Sequence, residues 1–234
     1  MKNQFKGSRT LPLPTLRSYR GPDPHTVGVA VPIMDYKPDI VTVMGLMQCA
    51  PYFCQPIFHC GSSAINLARN LIAHSFLNTH KHLQWLVWID ADIGFTPEDW
   101  CALMDTDEPL VRGAYYKKRY PAQDAGAGFG FVKTHRKVFE AIANLTDEQG
   151  AERVGRFFMD GELTIDFFPT GCTPNGQWAG EDQGFFSWAG IAGFPVRIEP
   201  RCHLIHYGRA GYPLEVTFNM APPADLKREH TNDR

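Results

Sequence analysis

The most constraining feature of the sequence is an uncharged, bulky segment that runs directly into two acidic residues. Residues 85–89 read Trp-Leu-Val-Trp-Ile, and Asp90 and Asp92 follow with one alanine between them. An apolar run of this kind predicts a β-strand buried on both faces, as in a parallel sheet. Two ionised carboxylates are costly to bury side by side without a partner. We therefore expect them at the end of the strand, at the edge of a sheet where α/β folds bind ligands.

A divalent cation could pair the two carboxylates at that edge, and hard oxygen ligands favour Mg²⁺ or Mn²⁺. Residues 96–99 read Thr-Pro-Glu-Asp, which predicts a helix start with threonine as N-cap and proline in the first helical position. The alternative is that Asp90 and Asp92 form a turn and bind nothing. The apolar strand before them favours a ligand site.

Composition limits the classes of function. The 234 residues carry a formal net charge of −2, so no overall positive field indicates binding to nucleic acid. The six cysteines form no C-x-x-C pair, and we expect them to be free thiols in a reducing cytoplasm. No stretch of the sequence approaches the ~20 apolar residues that span a bilayer, so no transmembrane segment is predicted.

The sequence predicts one α/β domain at residues 25–220, after an extended arm at residues 1–24 and before a tail at residues 221–234. In its first half, strand patterns alternate with helical patterns, which predicts a βαβαβ unit. The strands are expected at residues 26–33, 56–59 and 85–89, and the helices at residues 39–50 and 64–77, the second capped by Ser62 or Ser63.

The second half of the chain gives weaker patterns. We expect helices that start at Thr134 and Glu181, and a surface loop with one helical turn over residues 145–160. The loop at residues 169–180 is rich in Gly, Pro and Asn and could act as a lid. Short strands are expected at residues 108–113, 129–132, 164–168 and 193–200.

Three polar residues lie beside apolar elements and are candidates for a site. Asp35 follows the first strand, and it is either a site residue or a turn former. Arg69 interrupts the apolar face of a helix, where it could reach a phosphate, pair with an aspartate or lie on a solvated face. His206 follows a strand-like pair late in the chain, and it is either a metal ligand or a structural residue.

Two further charged groups are candidates. Glu181 and Asp182 open a helix, where acids are stabilising through the helix dipole even without a catalytic role. Residues 115–120 place two lysines, one of them Lys118, and an arginine between tyrosines. This arrangement suits a pyrophosphate or another anion, although such a loop could also be solvated.

In their order and spacing, these motifs resemble those of GT-A-fold glycosyltransferases, and the pattern is similar to that of family 2-like enzymes. The resemblance covers roughly residues 26–208. It rests on Ala68-Arg69-Asn70, residues 88–95, 113–118 and 128–131, Glu181-Asp182 and His206-Tyr207-Gly208. It implies a single α/β, Rossmann-like GT-A domain with a mixed, mainly parallel central sheet.

The resemblance also implies a nucleotide-diphosphate sugar as the donor, by default a UDP-sugar, and Mn²⁺ or Mg²⁺ as the cation. Asp92 would bind the metal directly, and Asp90 would reach it through water or hold the donor ribose. His206 would complete the metal shell, with His203 as the alternative. The other implied contacts are Asp35 at the nucleotide base, Arg69 and Lys118 at the phosphates, and Gly128 and Phe129 in the floor of the sugar or acceptor pocket.

The same resemblance implies Asp182 as the base that removes the proton of the acceptor hydroxyl, with Glu181 as the second candidate. Inverting and retaining chemistry are both compatible with such an acid pair. The acceptor is open: a glycan, a protein, a lipid-linked sugar and modified DNA all fit the sequence.

Three other functions fit part of the pattern. A haloacid-dehalogenase-like phosphatase would use Asp90 and Asp92, and a metal-dependent nuclease would add Glu181 and Asp182. A non-catalytic domain would bind a nucleotide sugar without turnover. The phosphatase is disfavoured because position 94 is glycine and the acidic motif lies far into the chain.

Overall fold

The computed structural model describes residues 19–34, 36–115, 128–159, 161–172, 175–207 and 212–213. The predicted C-terminal tail and most of the predicted N-terminal arm lie outside these ranges. The helices are α1 (Ile40–Cys49), α2 (Ile65–Asn78), α3 (Pro97–Met104), α4 (Arg136–Ala143) and α5 (Glu181–Ile191). The strands are β1 (Val27–Ile33), β2 (Gln55–Cys60), β3 (Trp85–Ile89), β4 (Ile93–Gly94), β5 (Leu110–Gly113), β6 (Phe131–His135), β7 (Arg156–Met159), β8 (Glu162–Ile165), β9 (Gly171–Cys172), β10 (Trp178–Ala179), β11 (Arg197–Glu199), β12 (Ile205–His206) and β13 (Tyr212–Pro213).

The central sheet has six strands in the order β11-β5-β6-β3-β1-β2. Strand β1 pairs in parallel with β2 and with β3, and β11 pairs in parallel with β5. Strand β6 is antiparallel to both β3 and β5, so it runs against the other five. The fold is therefore α/β with a mixed, mainly parallel central sheet, as the sequence predicted.

Strand β3 lies in the middle of this sheet and is buried on both faces. Val87 and Ile89 face a core that contains residues of α1 and α3, whereas Leu86 and Trp88 face a core that contains residues of α2, α4 and α5. This alternation follows from the two-residue period of a strand, and it requires apolar side chains on both faces. The helices of the described chain are too short or too polar for any of them to cross a membrane.

The first half of the chain follows the predicted pattern. β3 has the predicted bounds, and the βαβ crossovers put β2, β1 and β3 side by side. The backbone N–H of Asp99 donates to Thr96 Oγ1 at 3.2 Å, and the backbone N–H of Thr96 donates to Asp99 Oδ2 at 2.8 Å. Thr96 is thus the N-cap of α3, as predicted. Tyr19, near the end of the predicted arm, packs against Tyr52 with ring centroids 5.0 Å apart.

Several predicted boundaries are wrong. Thr134 does not cap a helix: it pairs with Leu86 inside β6, and the His135 side chain accepts the capping hydrogen bond instead. Neither Ser62 nor Ser63 caps α2, whose N-cap residue is Ala64. The predicted loops at residues 145–160 and 169–180 each contain strands, because β7 pairs with β8 and β9 pairs with β10.

Arg136 fastens the end of α2 to the start of β3. Its side chain is buried, and Nη2 donates to the carbonyl oxygens of Phe76 and His80, each at 2.7 Å. Nε donates to the carbonyl oxygen of Leu83 at 2.8 Å. The last carbonyl groups of a helix lack partners within the helix and favour a nearby cation. The Arg136 guanidinium therefore supplies hydrogen bonds to several carbonyl groups at this helix end.

We expect Arg136→Lys to lower the free energy of unfolding by about 2–3 kcal/mol, because one ammonium group cannot replace a planar fork that donates to several carbonyl groups. Urea unfolding measures the change. Lys137→Met, at the exposed neighbouring position, is the control and should change the free energy of unfolding by less than about 1 kcal/mol. Equal effects of the two substitutions would contradict the role assigned to Arg136.

Candidate active site

The candidate site begins where β3 ends. The backbone N–H of Asp90 donates to the carbonyl oxygen of Gly130 at 3.0 Å, and that of Ile93 donates to the carbonyl oxygen of Asp90 at 3.1 Å. The chain therefore turns tightly after the strand and enters the two-residue strand β4. The two acids lie on this turn, at the carboxyl end of a central strand, which is the position that the sequence predicted.

His206 is brought to the turn by strand pairing. β12 is antiparallel to β4, with His206 opposite Ile93. The backbone N–H of Tyr207 donates to the carbonyl oxygen of Asp92 at 2.8 Å. His206 Nε2 consequently lies 3.4 Å from Asp92 Oδ1. His203, the other histidine considered, contacts Asp99 through its backbone N–H and lines a different cleft beside α3.

Arg69 connects this turn to the second pair of acids. Its Nη2 donates to both oxygens of Asp90, at 2.9 and 3.2 Å. Its Nη1 donates to Glu181 Oε1 at 2.9 Å and to Asp182 Oδ1 at 2.5 Å. The Arg69 side chain is 2% exposed. Pairing with an aspartate, one of the roles left open by the sequence, is therefore the observed contact of Arg69.

Aromatic rings support the guanidinium from one side. Its central carbon lies 5.0 Å from the centroid of the Phe129 ring and 6.0 Å from that of Phe168. Phe129 is fully buried, in edge-to-face contact with Trp88 and Phe185. These contacts favour a cation electrostatically and leave Arg69 little freedom to move. Phe129 thus lies beneath the ion cluster.

The acid pair has a favourable position of its own. Gly180 is the N-cap of α5, and Glu181 and Asp182 occupy the first turn, where the helix dipole stabilises negative charge. Their side chains are 21% and 23% exposed, so both reach solvent at the edge of the cluster. The helix dipole accounts for acids at this position, but it does not account for their shared contact with Arg69.

Three carboxylates share one guanidinium in this cluster. The resulting excess of negative charge shifts the pKa values of Asp182 and Arg69. Burial raises the pKa of Asp182 to about 6, the carboxylates of Glu181 and Asp90 act in the same direction, and Arg69 opposes them. Burial would lower the pKa of Arg69, but the carboxylates of Asp90, Asp182 and Glu181 raise it above its ordinary value. Arg69 is therefore always charged, whereas Asp182 can exchange a proton near neutral pH.

Tyr115 is a residue of the site that the sequence interpretation did not single out. Its side chain is buried, and its hydroxyl accepts a hydrogen bond from the backbone N–H of Gly130 at 2.8 Å. Its ring packs edge-to-face against His206, with centroids 5.3 Å apart. Tyr115 therefore supports the histidine beside Asp92. Its position at the end of β5 is the sequence signal that could have identified it.

An open cleft of about 370 Å³ lies in front of the acidic turn. Its lining residues are Pro32, Met34, Lys37, Asp39, Ile65, Asp90, Ala91, Asp92 and His206. Asp35 and Lys118 lie outside the described residues, so their predicted contacts with the donor stay predictions. The predicted roles of Gly128 and Phe129 in a sugar or acceptor pocket also stay predictions.

The residues beside the cleft fit a divalent cation in part. Within the described ranges, no three His, Cys, Asp or Glu side chains form a ready-made metal site. Both oxygens of Asp90 lie within hydrogen-bond distance of Arg69. Asp92 Oδ1 and His206 Nε2 lie 3.4 Å apart beside the cleft, and a carboxylate oxygen is a ligand that Mn²⁺ and Mg²⁺ favour. Small divalent cations often take only one or two side chains and complete their shell with water and substrate phosphates.

Removing the shared cation should destabilise the protein in a pH-dependent way. We expect Arg69→Met to lower the free energy of unfolding by about 3–5 kcal/mol at pH 8, because three carboxylates lose their common partner. Without Arg69 the pKa of Asp182 rises further in the folded state, because Arg69 is the group that opposes the rise. The folded protein then binds protons more tightly than the unfolded chain, so the deficit shrinks as the pH falls towards 5.

Urea unfolding at pH 8 and pH 5 tests this expectation. Arg156→Met is the matched control, because Arg156 pairs with Glu152 on the surface, and its loss should cost less than about 1 kcal/mol at either pH. A deficit for Arg69→Met that stays constant with pH would show that repulsion among the acids is not its source.

The sequence matches no model of a protein family, and no curated protein matches it. Among solved structures, A197 from STIV has a TM-score of 0.50 at 13% identity, over 85% of this chain and 99% of that protein. The catalytic domain of Drosophila β1,4-galactosyltransferase 7, solved with xylobiose, has a TM-score of 0.45 at 14% identity, over 75% of this chain and 65% of that one.

A glycosyltransferase involved in the glycosylation of the major capsid of PBCV-1 is also similar, with a TM-score of 0.34 at 13% identity. The match covers 49% of this chain and 62% of that one. This chain thus spans less than two thirds of either glycosyltransferase. At 13% identity, the similarity to A197 concerns the fold alone.

Proposed function

We propose that this protein is a metal-dependent glycosyltransferase that moves a sugar from a nucleotide-diphosphate donor to an acceptor hydroxyl. The observation that carries the proposal is the Arg69 cluster, which brings Asp90 of the first acidic motif to the acid pair of α5. Asp90, Asp92 and His206 line the cleft, and Arg69 connects Asp90 to the candidate base Asp182. The proposed transfer from a diphosphate donor uses both cation-binding groups and a base.

The proton transfer is assigned to Asp182. The acceptor oxygen forms a bond to the anomeric carbon, the bond from that carbon to the diphosphate oxygen breaks, and the proton of the acceptor hydroxyl passes to the carboxylate. Arg69 binds Asp182 through Oδ1, which leaves Oδ2 to receive the proton. A pKa raised to about 6 makes this carboxylate a stronger base than an ordinary one and keeps it mostly ionised at neutral pH. Glu181 is the second candidate.

Asp92 and His206 are the residues proposed to hold Mn²⁺ or Mg²⁺, with Tyr115 packed against the histidine ring. A cation held by these two residues would supply Lewis-acid stabilisation of the negative charge that develops on the leaving diphosphate. Asp90 has a different proposed role. Held by Arg69, it keeps the acidic turn in place, and it can meet the donor ribose through its partly exposed edge.

The contact between Arg69 and Asp90 argues against the phosphatase alternative. In that mechanism the first aspartate attacks phosphorus, but here both of its oxygens are within hydrogen-bond distance of a buried guanidinium. Such bonds stabilise the carboxylate and reduce its reactivity as a nucleophile. A non-catalytic domain that binds nucleotide sugar differs from the proposed enzyme in turnover alone, so the experiments below measure binding and turnover separately.

We expect one nucleotide-diphosphate sugar from a panel to stabilise the protein in the presence of Mn²⁺, and Asp92→Asn to abolish this shift. Loss of the carboxylate removes one of two proposed protein ligands of the cation. Thermal shift and calorimetry with and without Mn²⁺ provide the measurement, starting with UDP-sugars. Asp107→Asn, an exposed aspartate remote from the cleft, is the control and should bind donor as wild type does.

Metal-dependent binding of one donor together with its slow hydrolysis would support the transferase. Binding without hydrolysis or transfer to any acceptor would identify a non-catalytic binder. If no nucleotide sugar binds, with or without metal, the proposal is wrong.

Asp182→Asn should keep donor binding and lower turnover by about 10²- to 10⁴-fold, the usual contribution of a positioned base. In wild type, kcat/KM should rise with pH through about 6 and then level off, because Asp182 must be ionised to accept a proton. The rising limb should be absent from the pH profile of the variant. Glu181→Gln tests the second candidate base. If turnover falls further in Glu181→Gln than in Asp182→Asn, the base is Glu181 and not Asp182.

A further inference from the structure

We infer that Asn70 is a positioning residue for the acid pair, acting through the segment that precedes α5. The catalytic part of this inference rests on the proposed function, whereas the observed contacts of Asn70 do not depend on it. Asn70 follows Arg69 on α2 and is 2% exposed. A buried amide side chain must find partners for both its donor and its acceptor, so its contacts show what it holds.

Both ends of the Asn70 amide bind the same remote segment. Nδ2 donates to Asp166 Oδ1 at 2.7 Å, and Oδ1 accepts a hydrogen bond from the backbone N–H of Phe168 at 3.2 Å. The segment is also fixed on its other side, because the backbone N–H of Asp166 donates to the carbonyl oxygen of Gly155 at 2.8 Å. Asn70 thus ties residues 166–168, just after β8, to the helix that carries Arg69.

The held segment is the surface on which the first turns of α5 rest. The Phe168 ring stacks on the Phe185 ring, with centroids 4.7 Å apart and an interplanar angle of 17°. A Cβ atom at Gly184 would lie 2.2 Å from the carbonyl oxygen of Pro169, so the helix and the segment touch backbone to backbone. Gly184 and Phe185 lie two and three residues after Asp182 in α5. Movement of residues 168–169 would therefore move the proposed base.

Arg69 and Asn70 have complementary roles in this arrangement. Arg69 contacts the acids directly and sets the charge around them. Asn70 instead fixes residues 166–168, against which the first turns of α5 pack. A displacement of about 1 Å at a reacting group can reduce a rate about 100-fold, so a contact of this kind affects catalysis without touching substrate. Asn70 is not among the residues that line the cleft at Asp92 and His206, and we expect its substitution to leave donor binding unaffected.

The test compares Asn70→Leu with an exchanged pair, Asn70→Asp combined with Asp166→Asn. Leucine has a similar branched shape and no hydrogen-bonding group. The exchanged pair keeps an acceptor for the Phe168 N–H and a donor between the two side chains. Asn78→Leu, at an exposed position on the same helix, is the matched control. Two readouts are measured: kcat and donor KM, and hydrogen exchange of the amides in residues 181–188.

We expect Asn70→Leu to lower kcat by about 10- to 100-fold with donor KM within about threefold of wild type, and to speed exchange in the first turns of α5 by about tenfold. The exchanged pair should recover most of both losses, and Asn78→Leu should change neither. Gly184→Ala, a second variant that raises intrinsic helix propensity, should also lower kcat with little change in KM, because its methyl group displaces the contact with Pro169.

Unchanged kcat and unchanged exchange in Asn70→Leu would overturn the inference. So would a fall in global stability alone, measured by urea unfolding, with normal kcat. Failure of the exchanged pair to recover either readout, in a protein that unfolds at the wild-type urea concentration, would count equally against it. If wild type turns over no nucleotide sugar, the proposed function fails, and the exchange data alone then decide whether Asn70 holds α5.

Discussion

The Arg69 guanidinium is buried among carboxylates from two distant parts of the chain, and the arrangement of the site depends on it. Removing a guanidinium from water is costly, and the cost is offset only where its donors find charged acceptors in good geometry. Here Asp90 takes one side of the fork, and Glu181 and Asp182 take the other. The phenyl rings beneath it exclude water and fix its position. One side chain on α2 thereby links the end of β3 to the start of α5.

The cluster retains an excess of negative charge. Three carboxylates share one guanidinium, and Asp92 lies on the same turn with His206 as its neighbour. This excess of negative charge has two consequences. It raises the proton affinity of Asp182, and it favours a cation on the side of the turn that Arg69 does not reach. One excess of negative charge therefore favours both the proposed base and the proposed metal site. The position of Arg69 separates these two parts of the site.

Local patterns in the first half of the chain were sufficient to predict its elements. β3 could be predicted because an uncharged, bulky run has few alternatives, and α3 could be predicted because threonine, proline and an acid at fixed spacing form a capping box. Thr134 was misassigned because it is a good helix cap in isolation, but pairing with β3 and β5 extends β6 through it. Tertiary pairing, which a local pattern does not contain, decided that boundary.

The candidate residues of the site were predicted individually, but their partners were not. The sequence indicated that Arg69 could bind an aspartate, and it indicated that the acids of α5 could be functional. It could not show that these were two halves of one contact, because the residues are separated by 112 and 113 positions. The contacts of Asn70 and Tyr115 could not be predicted for the same reason. Each acts through a backbone group that comes near it only in the folded chain.

The wide sequence separation within the cluster also bears on how the protein is made. Arg69 and Asp90 are 21 residues apart and belong to adjoining elements, so they can meet early during synthesis as a neutral pair. Glu181, Asp182 and His206 leave the ribosome much later, and closing such long loops is slow compared with local pairing. The nascent first half would thus carry a balanced ion pair at its centre. The surplus of charge on which the proposed chemistry depends would arise only when the last quarter of the chain docks.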